Sequence, residues 1–244
     1  MILAIDTSLG TAVAVVTLDG EVRGEASTPN ALGHAEIIGD LLERALDAAA
    51  ATPADITHVA AGMGPGPFTG LRIGIAAARA FALGRRIPIV PVASHDAAAL
   101  THFDRPGIRG PIAITTDARR REFAYTIYAG IDERGLPIRT AEPALAPRDE
   151  LDARLAGAGA ATVDDATDAD ADADADATDA TDATAADAAS ASPTRIDVTE
   201  ISAAALGRVA ARQIASDAVA TASEPLYLRS PDVTVGGPRK RVGT

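Results

Sequence analysis

Residues 62–78 read Gly-Met-Gly-Pro-Gly-Pro-Phe-Thr-Gly-Leu-Arg-Ile-Gly-Ile-Ala-Ala-Ala, and this stretch decides the fold. Four glycines and two prolines fall within Gly62–Gly70, and a run with almost no polar face follows. Proline fixes φ at two positions and glycine frees it at others, so the loop has a specified shape. Thr69 is the expected N-cap of a helix beginning near Gly70. A loop of this kind sets backbone N–H groups beside a helix N-terminus, a geometry that serves either an anion site or a tight strand-to-helix turn. Gly70, Gly74 and Ala78 recur at i, i+4 and i+8, leaving a flat strip on which another backbone can lie close.

Working outward, Ile2–Ile5 and Ala12–Leu18 read as short apolar strands joined through Asp6-Thr7-Ser8-Leu9-Gly10-Thr11. Asp19-Gly20 is a hairpin signal, so Glu21–Thr28 returns antiparallel. Ile37, Ile38, Leu41, Leu42, Ala45 and Leu46 form one helical stripe between His34 and Ala51. Ile56–Ala61 is a buried strand entering the Gly/Pro loop, Leu71–Arg85 the second helix, and Ile87–Val92 a further strand. Ser94 is placed as the cap of a third helix reaching about Thr101. This order predicts a mixed sheet with helices on its faces.

A similar order begins again after residue 105. Pro111–Thr116 is a strand, Asp117–Arg121 a charged turn, and Phe123–Ile131 with Leu136–Ala144 a meander. Pro147–Glu150 opens a helix to about Leu155, and Thr199 is the expected cap of a helix over Glu200–Ala215. Leu226–Leu228 reads as extended. From about 160 to 193 the chain is almost only Ala, Asp and Thr, with nothing to form a core, and is expected to be a disordered insert. The resulting division is 1–105, a first lobe; 106–230, a second lobe carrying that insert; and 231–244, a mobile basic tail.

Composition limits the chemistry. Hydrophobic residues make up 47% but aromatics only 3%, so the core is built from Ala, Val, Ile and Leu. There are no cysteines, which excludes disulfides, thiolate metal sites and cysteine nucleophiles. The net charge is −12, but residues 163–192 hold ten Asp and no Lys, Arg or Glu. Without that segment the balance is about −2, and a strongly basic nucleic-acid footprint is absent. The N-terminus has no signal-peptide pattern, and no apolar run approaches the ~20 residues of a membrane span, so a cytoplasmic protein is expected.

Two sites invite chemistry. Asp6, Thr7, Ser8, Gly10 and Thr11 stand at a hairpin tip, where actin-like ATPases and sugar kinases hold phosphate and metal; the bland alternative is a polar turn closing a strand. Among the histidines His34, His58, His95 and His102, a helical metal pair would need a second His four residues on. After His34 that position is Ile38 and after His95 it is Ala99, so each histidine reads as structural. The Asp117-Ala118-Arg119-Arg120-Arg121-Glu122 cluster reads as a solvated turn, although three successive arginines suit RNA or a carboxylate.

Ile-Leu-Ala-Ile-Asp-Thr-Ser at 2–8, Gly-Pro-Gly-Pro-Phe-Thr-Gly-Leu-Arg-Ile-Gly at 64–74, Asp-Ala-Arg-Arg-Arg-Glu at 117–122 and Glu-Pro-Leu-Tyr-Leu-Arg at 224–229 together resemble the TsaB (YeaZ) family. The resemblance implies an α/β, two-lobed actin/Hsp70-like fold of the ribonuclease H-like type, each lobe a mixed sheet with helices on its faces. It implies a non-catalytic partner of TsaD, in an assembly that places threonylcarbamoyl on the adenosine beside the anticodon of tRNAs. TsaE would join a ternary complex, a homodimer would form when the chain is alone, and tRNA would be reached at most indirectly. ATP and metal would sit on the partner subunits, with no cofactor here. TsaD-type relatives carry a His-x-x-x-His metal pair where this chain has only His95. The partner interface would use Ile37, Leu41, Gly70, Arg72, Ile73, Gly74, Ala77, Ala78 and Phe81, leaving Asp6, Thr7, Ser8, Gly10 and Thr11 as a vestigial phosphate site. Other classes to weigh are an actin-like ATPase or phosphotransferase and a glycoprotease-like metallohydrolase.

Overall fold

The computed structural model describes residues 1–29, 33–106, 110–164, 192–219 and 224–229, with side chains through 158 in the third of these spans. The first sheet is built from β1 (Ile2–Asp6), β2 (Thr11–Val16), β3 (Val22–Thr28), β4 (His58–Gly62) and β5 (Ile89–Val92), in the order β3-β2-β1-β4-β5. The three opening strands pair antiparallel, whereas β1–β4 and β4–β5 are parallel. Parallel pairs need crossovers, supplied here by helices α1 (His34–Ala48) and α2 (Phe68–Arg85). Every residue of β1 and β2 is buried, because both faces of this sheet are covered.

The period-two alternation of β1 sorts its side chains between two cores. Leu3 and Ile5 join Leu41, Ala45, Leu71, Ile75 and Ala78 under α1 and α2. Ile2 and Ala4 face α5 (Ala203–Ala215) on the other side, and α3 (Ser94–Phe103) packs against α5 in the same core. That second core is alanine-rich, so helix and sheet approach closely: a Cβ on Gly207 would meet Val16 Cγ2 at 2.5 Å.

The second sheet contains β6 (Ile112–Asp117), β7 (Glu122–Ile131), β8 (Pro137–Arg139), β9 (Ala144–Pro147) and β10 (Thr194–Asp197). Its order is β10-β6-β7-β8, with β9 also on β7. Helix α4 (Leu151–Asp164) packs Leu151 and Leu155 against Ala113, Ile127 and Ala146. Although α5 follows the second sheet in the chain, it packs back on the first.

Local chemistry shifts several expected boundaries. Helix α2 starts at Phe68 with Pro67 as its N-cap, so Thr69 lies inside the first turn and caps nothing. Ala93, not Ser94, precedes α3, and the Ser94 hydroxyl is used elsewhere. The cap of α5 is Ser202, whose oxygen accepts from Ala205 N, three residues past the expected Thr199. The stretch 136–144 divides into β8 and the start of β9, both on β7. Alanine favours helix, and α4 accordingly runs on to Asp164, into the segment expected to be disordered. The rest of that segment through residue 191, and the tail at 231–244, lie outside the described residues. Among the described residues no helix is long and apolar enough to cross a membrane.

Candidate functional site

The β1–β2 turn packs against the Gly/Pro loop, and residues 6–8 of the turn and 62–65 of the loop are buried. Asp6, 2% exposed, accepts hydrogen bonds from Ser8 N at 2.8 Å, Ser8 Oγ at 2.5 Å and Ser94 Oγ at 2.5 Å. Burial raises the Asp6 pKa, and the hydroxyl and amide donors oppose that rise. Thr7 Oγ1 donates to Gly70 O at 2.8 Å, and the Thr11 hydroxyl bonds His34 Nδ1 at 2.7 Å. The loop amide of Gly64 is spent on Ser94 Oγ at 3.1 Å, and Gly64 O accepts from Ser94 N at 2.8 Å. The Gly64–Pro65 peptide is cis.

The glycine strip belongs to this knot. A Cβ on Gly74 would lie 2.2 Å from Thr7 Oγ1, and one on Gly70 would lie 2.7 Å from Thr7 O. Ala78 is fully buried and Leu41 nearly so. The close backbone approach read from Gly70, Gly74 and Ala78 therefore occurs within the chain, which corrects their assignment, and that of Leu41, to an external surface. A leucine at position 74 would report on folding rather than on docking.

The residues expected as a vestigial phosphate site, Asp6, Thr7, Ser8 and Thr11, are hydrogen-bonded within the fold. The adjoining cleft, of about 160 Å³, is lined by Asp6, Gly10, Thr11, Glu25, Glu200 and Ser202 among others, with three carboxylates and, among the described residues, no Arg or Lys. Small-molecule sites commonly occupy about 300–1,000 Å³. The Asp6 oxygens already carry three donors.

His95 is fully buried, with Nδ1 2.8 Å from Thr126 Oγ1 and Nε2 3.1 Å from Thr116 Oγ1. A neutral imidazole donates from one nitrogen and accepts at the other, and the two hydroxyls rotate to suit. Burial, with Arg139 nearby, lowers its pKa from 6.5 to about 3. His95 therefore links α3 to the second sheet, leaving neither nitrogen for a metal. Among the described residues no group of three His, Asp or Glu is placed to hold a metal ion.

A histidine held neutral in the fold gives stability that is fully present above pH 6.5. That stability is lost as pH falls toward 3, because the unfolded chain takes up the proton first. Urea unfolding between pH 7.5 and 5 is expected to show a His95 contribution of up to ~1.4 kcal/mol per pH unit below 6.5, absent from His95→Gln. Equal slopes in the two proteins would refute it.

Next to His95, Asp96 receives Arg139 Nε at 2.8 Å, Arg139 Nη2 at 2.6 Å and Tyr128 OH at 2.8 Å. Here again α3, packed on α5, is tied to strands of the second sheet.

The outward face of α2 differs from its buried one. Arg72, Ala76, Ala80 and Leu83 are exposed, and Ile73, Ala77 and Phe81 are half-buried, as is Ile37 on α1. Leu83 is 80% exposed beside a groove of about 670 Å³ lined by Met63, Ile75, Ala82, Ile87 and Ile89. Arg72 lies 3.7 Å from the Phe68 ring centroid and donates from Nε to Tyr227 OH at 3.1 Å. The Tyr227 ring stands 4.5 Å from Phe68. Leu83 was not singled out from the sequence, where its signal was an apolar residue off the helical stripe; Tyr227 was noted only within the 224–229 motif and given no role.

The β6–β7 turn holds Arg119, Arg120 and Arg121 at φ 61°, 51° and 63°. Left-handed backbone costs a non-glycine residue about 1 kcal/mol each. The turn is held by Glu122 N donating to Arg119 O at 3.0 Å, Arg119 N to Asp117 Oδ1 at 2.7 Å and Arg148 N to Arg121 O at 2.9 Å. Arg229 pairs with Glu122, so the 224–229 segment runs from Met63, where Leu226 N donates at 2.8 Å, to this hairpin.

The family profile described as TsaD, tRNA N6-adenosine threonylcarbamoyltransferase, matches residues 29–234. An uncharacterized protein of Mycobacterium tuberculosis is 38% identical over 153 residues, covering 62% of this chain and 67% of that protein. The Escherichia coli tRNA threonylcarbamoyladenosine biosynthesis protein TsaB is 32% identical over 136 residues, 55% of this chain and 57% of its own length. Two Pseudomonas aeruginosa structures, one with similarity to peptidase YEAZ and one of YeaZ, superpose with TM-scores of 0.67 and 0.61 at 21% identity. The first covers 93% of this chain and 99% of its own, and the second 88% and 92%. At that identity they establish shared fold alone, the two-lobed actin-like α/β architecture. The chain belongs to the TsaD family and is a TsaB-like member of it.

Proposed function

We propose that this chain is a non-catalytic TsaB-type subunit of the system that forms threonylcarbamoyladenosine in tRNA, acting in the cytoplasm. It binds a TsaD-type subunit through the outward faces of α1 and α2, pairs with itself through the same surface when alone, and helps recruit a TsaE-type ATPase. ATP and metal are held by those partners, and this chain supplies no cofactor site of its own. The observation that carries this reading is the contrast between two regions. The polar positions where actin-like relatives hold ligands, Asp6 and His95, are satisfied internally, while α2 turns Ala76, Ala77, Ala80 and Leu83 outward. A helix with small residues outward suits close packing against another helix.

Co-purification with TsaD- and TsaE-type proteins, followed by reconstitution of tRNA modification with and without the chain, tests this. Ala76→Glu/Ala80→Glu puts two charges on exposed helix positions that bear no internal packing. Its thermal midpoint is expected to stay within a degree or two while association with the TsaD-type partner weakens at least ~30-fold, since buried unpaired charges at an interface cost several kcal/mol. Unchanged association would move the interface elsewhere, and modification that proceeds equally without the chain would end the proposal.

A further inference from the structure

We infer that the β6–β7 hairpin, through Arg119 and Arg121, makes a direct contact with the phosphate backbone of tRNA. This rests on the assignment of the chain to tRNA modification, and it departs from the expectation that tRNA is reached only through partners. Three consecutive arginines stand exposed in left-handed backbone that only glycine adopts freely. A solvated turn of ordinary purpose would relax or carry Gly or Asn at these positions. Instead, neighbouring groups lock the turn. Asp117 takes Arg119 N–H and the Arg148 guanidinium at 2.6 Å, while Glu122 holds Arg229. Both acidic residues of the hairpin are thereby engaged by arginines outside the tip.

The type of cation suits an oxyanion, and the assignment of the chain to tRNA modification makes phosphate the oxyanion to test. The chain has a single lysine, Lys240, so its positive charge is almost wholly guanidinium. Guanidinium presents a planar fork that matches phosphate oxygens two at a time. Around the tip, Phe123 lies with its ring centroid 5.1 Å from Arg148 and 4.5 Å from Arg195, which stiffens the base of the hairpin. The chain as a whole carries −12 and repels a polyanion, so the hairpin serves as an accessory contact within the assembled complex. Phosphate contacts of this kind position RNA without reading its sequence.

The test is tRNA binding by the complex of this chain with a TsaD-type partner, measured across salt concentration. Glycine suits φ near +60°, so Arg119→Gly/Arg121→Gly removes both charges while relieving strain, and its thermal midpoint should hold or rise. The expected result is an affinity lower by about tenfold at 100 mM salt and a log–log salt slope shallower by about 2, one for each lost phosphate contact. Arg119→Lys/Arg121→Lys should recover part of the affinity and the full slope. Unchanged affinity and slope in the glycine variant, or a lysine variant with the glycine variant's slope, would overturn the inference. Should modification depend on the chain while tRNA binding ignores the hairpin, only the hairpin contact fails; should modification not need the chain, the functional assignment itself fails.

Discussion

Replacing Gly62 by alanine is expected to destabilise the chain by at least ~3 kcal/mol, within the upper range of overpacking a core. The new Cβ would stand 2.0 Å from Asp6 Oδ2 and 2.8 Å from Asp6 Cγ. Asp6 cannot step aside cheaply, because both its oxygens are committed to Ser8 and Ser94 in a buried site. Displacing it strands buried donors at about 1–3 kcal/mol each. For a chain of this size the melting temperature should fall by roughly 10 °C, read by differential scanning calorimetry. Gly39, an exposed glycine of α1 with nothing within 4 Å of an added Cβ, provides the opposite case. Gly39→Ala should raise stability by about 0.5–1 kcal/mol through helix propensity alone. If the two substitutions had similar effects, the tight contact at Gly62 would be wrong.

The second large effect is expected at Arg139. Its bidentate pairing with Asp96 has side-chain exposures of 26% and 11%, so the pair is mostly desolvated. Arg139→Ala leaves that carboxylate with only the Tyr128 hydroxyl, and breaking a buried pair from one side costs about 3–5 kcal/mol. Removing the charge from the other side should restore much of it, so Arg139→Ala/Asp96→Asn should regain at least half of the loss. A double-mutant cycle by chemical denaturation measures both. Additive losses would mean that Asp96 and Arg139 act independently. Because α3 packs on α5, which covers the first sheet, and Arg139 lies on β8, the single variant should also loosen β8 against α3, seen as faster amide exchange in β8.

Much of the fold was legible because its cues are local. Asp19-Gly20 fixes a hairpin, the stripe from Ile37 to Leu46 fixes α1, and the apolar runs at 2–5 and 56–61 fix strands covered on both faces. Capping was less legible, since Thr69, Ser94 and Thr199 each have the right chemistry but another residue, or the backbone itself, starts the helix. The candidate site was legible in its residues and not in their roles. Asp6, Ser8 and His95 were all picked out, but whether a polar group faces a ligand or a buried neighbour depends on what packs over it. Ser94 lies 88 positions from Asp6 along the chain, and Thr116 and Thr126 lie 21 and 31 from His95.

The sequence alone determined the alternation of strands and helices, the missing second histidine at Ala99 and the close-packing character of Gly70, Gly74 and Ala78, each a matter of residue type and spacing. Only the tertiary structure decided what those glycines approach. Residue spacing specifies which side chains share a helix face, but the direction of that face is set by long-range packing. Here Thr7, brought over α2 by the β1–β2 turn, takes the strip for the chain's own core and leaves Ala76, Ala80 and Leu83 exposed on the opposite face.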